Sequence, residues 1–229
     1  MLLRRQIFGL TVLFERSWGY ACAIAAVAFA LAADAATPEL PAAGAVLIGV
    51  GVTLAIAASM LVHELAHARV AVRAGNEIEH IRLFAAGAAC KRVRPIEDAR
   101  QQFLVAAAGP LASVGLAVVL LALAIGLEVL ALPSALTAAV SFVALANCLM
   151  AVSNVLPVFP FDGGKVMHAV FWRATGSPAA ATRRLRRSGR EFARVVVVLG
   201  LLTAAFAGHI ALGLVIAGFG LYLARLPLP

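Results

Sequence analysis

The sequence predicts an all-α polytopic membrane protein with about six transmembrane helices and a small membrane-associated β-hairpin after the second helix. Of its 229 residues, 63% are hydrophobic and 13% are charged, whereas about 25% are charged in an average soluble domain. Long apolar runs, each followed by a short polar link, account for most of the length. This composition excludes an ordinary soluble domain, and we treat residues 1–229 as a single membrane-embedded domain.

Six apolar segments are candidate spans. Trp18 and Tyr20 open the first of them, as interfacial aromatic residues do. A cleaved signal peptide is the competing interpretation, because residues 30–32 resemble a cleavage site, but the preceding basic region is long for one. The last two segments are short for a hydrocarbon core of about 30 Å. The predicted spans are 18–33, 45–74, 103–131, 135–156, 194–207 and 209–223.

Two segments interrupt the helical pattern. Residues 78–93 lack helical periodicity and have a glycine-containing centre, which predicts a hairpin or re-entrant segment. Residues 157–164 read PVFPFDGG and cannot continue a regular helix, because proline removes a backbone donor and clashes with the preceding turn. A short predicted helix at 165–172 and a basic segment at 173–194 follow.

Charge is distributed unevenly along the chain. The formal net charge of +8 would by itself suit nucleic-acid binding. With the first span starting inside, however, the external links 34–44 and 128–134 and the turn at Gly208 contain no Lys or Arg. This positive-inside pattern predicts a multi-pass protein of the cell membrane with cytoplasmic N- and C-termini, by default a prokaryotic plasma membrane. The arginines therefore indicate contact with membrane lipids and no nucleic-acid partner.

The second predicted span contains the motif His63-Glu64-Leu65-Ala66-His67. Residues i and i+4 of a helix lie one above the other, so both imidazoles can bind one metal ion. Glu64 is then placed to accept a proton from a water at that metal. Residues 45–60 carry no charge, and ionisable groups in such a span are costly and mark function. Polar residues at a helix end facing water are the structural alternative.

A catalytic zinc site has three protein ligands and one open position, so a third ligand must come from elsewhere. Asp162 is the leading candidate, because it lies in the break after the fourth span, and non-helical backbone at membrane depth is tolerated where it lines a cavity. Spacing alone fits a turn or helix-cap aspartate equally well. His168 is the substitute ligand.

These residues resemble the site-2 protease family of intramembrane zinc metalloproteases, peptidase family M50, in a compact form without PDZ or CBS domains. The HExxH motif matches the family's first signature. Residues 154–163 match its second, NxxPxxPxDG, at each fixed position. Gly109 and Ser113, a small-xxx-small pair that lets another helix pack closely, lie in a segment similar to the family's third span. The resemblance covers about residues 9–172.

The resemblance implies a catalytic core at about 45–164, in which His63, His67 and Asp162 hold Zn²⁺ and Glu64 is the catalytic carboxylate. It implies that Asn154 holds the substrate backbone or the polarised carbonyl near zinc. It also implies regulated intramembrane proteolysis of transmembrane protein substrates by this single protease domain. A substrate strand would dock at residues 83–89, for which a plain surface hairpin is the alternative.

Two other functions stay open at this point. One is a membrane zinc protease that cuts soluble or lipidated peptides at the cytosolic face. The other is a non-proteolytic metal-binding membrane protein or transporter, although no inverted repeat is evident in the sequence.

Overall fold

The structure, a computed structural model, describes residues 3–85, 87–206 and 209–226. The elements follow in the order β1(Leu3–Ile7), β2(Leu10–Phe14), α1(Arg16–Ala36), α2(Ala42–Arg73), β3(Ile78–Phe84), β4(Gly87–Arg92), α3(Ala99–Val129), α4(Ser134–Asn154), α5(Asp162–Thr175), α6(Pro178–Phe206) and α7(Ile210–Arg225). They form two compact units. The first contains Met1–Pro95 and Ala108–Val152, and the second contains Ile96–Ala107 and Ser153–Pro229.

Four helices among the described residues, α1 to α4, are long and apolar enough to cross a membrane. Their ends lie within four residues of those predicted for the first four spans. Apolar side chains such as Ile24 and Leu31 on α1 are 71% and 65% exposed, and a surface of this kind marks a membrane or partner contact. The prediction of a mostly helical, multi-pass protein is therefore confirmed.

The C-terminal part differs from the prediction in one respect. The basic segment and the predicted span 194–207 form one continuous helix, α6, of 29 residues. The side chains change from charged to apolar near Arg194, which predicted a boundary there, but main-chain helical hydrogen bonds do not depend on that change. α7 corresponds to the predicted span 209–223, and Gly208 lies outside the described residues. That α6 and α7 cross the membrane stays a prediction.

The structure contains a further hairpin near the N-terminus, which the sequence pattern did not predict. Strands β1 and β2 pair antiparallel around Phe8 and Gly9, both at positive φ. β2 pairs parallel with β3, and β3 pairs antiparallel with β4, which gives a mixed sheet in the order β1-β2-β3-β4. The predicted hairpin at 78–93 is therefore half of a larger sheet. Its position relative to the membrane stays a prediction.

One face of this sheet packs against the C-terminal half of α2. The shared core comprises Val12, Ala68, Ile81 and Leu83, with Leu61 and Leu65 packed against it. At 3.6 residues per turn, the α2 members of this core lie on the face opposite His63 and His67. Burial against the sheet therefore fixes the rotation of α2 and keeps the two histidines on its other side.

In the second unit, α6 and α7 approach each other closely through glycines. A Cβ atom on Gly200 would lie 2.7 Å from the carbonyl oxygen of Gly213, and one on Gly220 would lie 2.7 Å from the amide nitrogen of Val197. Real Cβ atoms do not tolerate such distances, so these positions require glycine. Because later residues of α7 meet earlier residues of α6, the two helices run antiparallel.

Candidate metal centre

His63 and His67 lie one turn apart on α2, and their Nε2 atoms converge. These atoms are 3.2 Å apart, and the two residues are only 4% and 7% exposed. Two nitrogens bound tetrahedrally to one zinc ion, each at about 2.0–2.1 Å, would be about 3.3–3.4 Å apart. The pair therefore has the spacing of two ligands of one zinc ion.

The other ring nitrogen of His63 contacts α3. Its Nδ1 atom lies 2.9 Å from Oγ of Ser113, which is fully buried. If Nε2 binds a metal, the ring proton must be on Nδ1, and the serine oxygen then accepts its hydrogen bond. Metal-bound histidines commonly donate their second N–H in this way.

Gly109, one turn before Ser113, brings the backbone of α3 against both imidazoles. A Cβ atom at this position would lie 2.5 Å from Nε2 of His63 and nearer still to Nε2 of His67. Glycine is therefore required here by space. The close helix approach predicted from the small-xxx-small pair is confirmed, and the structure shows that it takes place at the histidines.

Asp162 is the first residue of α5 and is 3% exposed. Nζ of Lys165 donates a hydrogen bond to its Oδ1 atom at 2.8 Å, and the helix N-terminus favours an ionised carboxylate. The next two residues are glycines because the preceding loop folds back on this turn. A Cβ on Gly163 would lie 2.6 Å from the carbonyl oxygen of Leu156, and Gly164 is equally confined by residues 158 and 159.

Among the residues that the structure describes, one group of His, Cys, Asp and Glu side chains could hold a metal ion. It consists of His63, His67 and Asp162, all buried. Two imidazoles and one carboxylate are a donor set of catalytic zinc, which keeps a fourth position open. The three residues therefore fit zinc.

His168, the substitute ligand, has other partners. It is 9% exposed, and its Nδ1 atom lies 3.1 Å from the side-chain amide of Gln102. Its Nε2 atom lies 3.1 Å from Oγ1 of Thr182 and 3.3 Å from the carbonyl oxygen of Pro178. Both ring nitrogens are thus engaged in the second unit, where the ring links α5 to the beginnings of α3 and α6.

Glu64 and Asn154 are half-buried. Glu64 follows His63 on α2, and Asn154 is the last residue of α4. The catalytic roles expected for both stay predictions.

Comparison with known proteins identifies the family. The sequence profile described as peptidase family M50 matches residues 51–141 and 130–202. These matches include the HExxH motif and the loop that carries Asp162. The chain belongs to peptidase family M50.

Relatives named as zinc metalloproteases, and a solved structure, are similar to the chain. Rip3 of Mycobacterium tuberculosis, assigned by name to the zinc metalloproteases, is 36% identical over 155 residues, which are 68% of this chain and 39% of Rip3. The similarly named sll0528 of Synechocystis sp. is 30% identical over 165 residues, 72% of this chain and 43% of the relative. The chain thus spans about two fifths of the length of these relatives.

Among solved structures, the chain is similar to the site-2 protease from Methanocaldococcus jannaschii. It superimposes with a TM-score of 0.55 at 20% identity, over 99% of this chain and 97% of that protein. This likeness shows a shared fold along nearly the whole chain.

Proposed function

We propose that this chain is an intramembrane zinc metalloprotease of the site-2 type, hydrolysing peptide bonds in or near transmembrane segments of membrane protein substrates. The grouping of two buried histidines with Asp162 carries the proposal. Four helices that are long and apolar enough to cross a membrane support such chemistry in a lipid environment. Membership of family M50 and the names of the relatives support the same activity.

His63, His67 and Asp162 are the proposed zinc ligands. Zinc bound there would act as a Lewis acid on the scissile carbonyl and make water a nucleophile near neutral pH. Ser113 of α3 bonds to the imidazole of His63, and the backbone of α3 at Gly109 lies close to both imidazoles. The chain thus supplies a largely preformed pair of nitrogen donors, and Asp162 would supply a negatively charged ligand.

Glu64 and Asn154 are proposed to act on the substrate. The Glu64 carboxylate accepts the proton of the attacking water and returns it to the leaving amine. The Asn154 side-chain amide donates a hydrogen bond to the carbonyl oxygen as negative charge develops there. In a helical substrate the carbonyls are bonded within the helix, so the substrate must unwind locally at its cleavage site.

Substrate docking is proposed at residues 83–89, the end of β3 and the beginning of β4. β4 is paired on one side with β3 and is the last strand in the sheet order. Such a strand can bind an extended peptide through main-chain hydrogen bonds. An unwound substrate segment offers the unpaired backbone groups that this requires.

We further propose one membrane-embedded protease domain with six spans, α6 and α7 forming the last two, and with both termini cytoplasmic in a prokaryotic plasma membrane. The segregation of Lys and Arg supports this orientation. Arg186 and Arg190 line a cavity beside Leu223, at the end of the apolar helix α7. Arginines at such a boundary suit anionic lipid headgroups.

The substitution Glu64→Gln tests the proposed activity. It keeps the size of the side chain but removes the basic carboxylate, so we expect zinc to stay bound while cleavage falls by about 10²–10⁴-fold. The measurement is cleavage of a transmembrane reporter in liposomes, beside a soluble peptide of the same sequence. Glu97→Gln, the same change at an exposed position, is the matched control.

Each outcome separates the candidate functions. Full activity in Glu64→Gln contradicts the assigned base. Cleavage of the soluble peptide alone supports a protease acting on soluble substrates. Zinc binding by the parent without hydrolysis of either substrate supports a non-proteolytic metal protein or transporter.

A further inference from the structure

We infer that Ser113 is a positioning residue for His63, holding its imidazole in the tautomer and orientation in which Nε2 faces the metal. The inference rests on the zinc site of the proposed function and deepens it. The hydrogen bond of 2.9 Å joins two buried side chains on different helices. The first unit contains both of these residues.

A metal ion bound at Nε2 would give this hydrogen bond its direction, because the ring proton must then be on Nδ1. A neutral histidine carries its proton on one ring nitrogen and a lone pair on the other. With Ser113 accepting from Nδ1–H, the lone pair is at Nε2, on the side where His67 converges. Without that oxygen, a buried Nδ1–H would lose its partner. The proton would then be better placed on Nε2, where it blocks metal binding.

The same bond fixes the rotation of the ring. Turning the imidazole by 180° about χ2 would exchange Nδ1 with a carbon atom and lose the contact with Oγ. On the other side of the ring, Gly109 brings the backbone of α3 close to Nε2. One turn of α3 thus contacts both nitrogens of His63, which restricts the ring at two points.

Ser59 provides a matched comparison within α2. It is also a buried serine, 5% exposed, and it precedes His63 by one turn. Its hydroxyl donates to the carbonyl oxygen of Ala55 and accepts from Nδ2 of Asn147 at 3.0 Å. Ser59 is therefore buried and hydrogen-bonded, as Ser113 is, but neither of the hydrogen bonds that the structure shows for it joins a histidine.

The test is the zinc affinity of the full chain in detergent, measured by competition with a chromophoric chelator. Ser113→Ala should weaken zinc binding by about 10–100-fold, the loss usual for removing the hydrogen-bond partner of a metal ligand. Ser59→Ala should leave the affinity unchanged, and Ser113→Thr, which keeps the hydroxyl, should restore it. Equal losses in both alanine variants, or none in Ser113→Ala, would overturn the inference.

A second measurement needs no zinc. In the metal-free protein with ¹⁵N-labelled histidine, NMR should show His63 protonated at Nδ1, and Ser113→Ala should move the proton toward Nε2. An Nε2–H tautomer in the parent, or an unchanged tautomer in Ser113→Ala, would overturn the role of Ser113. Failure of the parent to bind zinc would instead overturn the proposed metal site, so the two failures are distinguishable.

Discussion

Gly109→Ala is the substitution whose effect follows most directly from distances. The added Cβ would lie 2.5 Å from Nε2 of His63, whereas carbon makes van der Waals contact at about 3.5 Å. An imidazole must then move by about 1 Å, although metal–ligand distances tolerate only about 0.2 Å. We expect zinc affinity to fall by more than about 100-fold, beyond the usual loss for an outer hydrogen-bond partner.

The assay is the same chelator competition, combined with thermal unfolding of the metal-free protein. Alanine is favoured over glycine in helices by about 0.5–1 kcal/mol, so helix propensity predicts no loss of folding. Gly115→Ala, on the same helix and with nothing within 4 Å of its added Cβ, is the matched control and should bind zinc normally. Parent-like zinc affinity in Gly109→Ala would refute the close approach of α3 to the imidazoles.

Two further predictions concern Asp162 and the sheet. Asp162→Ala should abolish near-stoichiometric zinc binding, whereas His168→Ala should not, because both ring nitrogens of His168 have other partners. The measurement is the zinc content of the purified variants. An unchanged zinc content in Asp162→Ala would contradict the proposed ligand set. The hydrogen bond from Lys91 holds the pKa of Glu79 below its ordinary value, and it outweighs desolvation, which acts to raise that pKa. Lys91→Gln should therefore raise the pKa of Glu79. Since that pKa is lowered, the pair stabilises the sheet fully above the ordinary carboxyl pKa and loses this effect as pH falls through the lowered value. The measurement is an NMR titration of Glu79, and the same midpoint in the parent and in Lys91→Gln would contradict this prediction.

The sequence predicted the apolar helices well because their length and composition are a strong signal. The N-terminal hairpin gave a weak one. Its turn places Phe8 at positive φ, where asparagine or glycine is the usual signal. In addition, β2 pairs with β3 across more than sixty intervening residues, and local patterns carry no information about such a pairing.

Within the site, the motifs predicted three candidate ligands, which stay a prediction, and geometry was needed to see which residues contact the two histidines. Gly109 and Ser113 stood out only as small residues that permit close helix packing. The structure shows that the first gives space to two imidazoles and that the second bonds to one of them. Their spacing of four residues indicates close packing against another helix. The position of α3 beside α2 was needed to show that the neighbouring residues are the two histidines.

The arrangement of α2 explains how polar residues can be accommodated in an apolar helix. Its sheet-facing side is a conventional apolar core, so the sheet fixes the rotation of the helix without using a polar group. The opposite side carries a stripe at intervals of four residues, in which Asn147 partners Ser59 and Ser113 partners His63. Unpartnered polar groups in hydrocarbon are costly, and these contacts reduce that cost before any metal binds. The sheet-facing side of α2 thus provides apolar packing, and the opposite side carries the hydrogen-bonded polar residues.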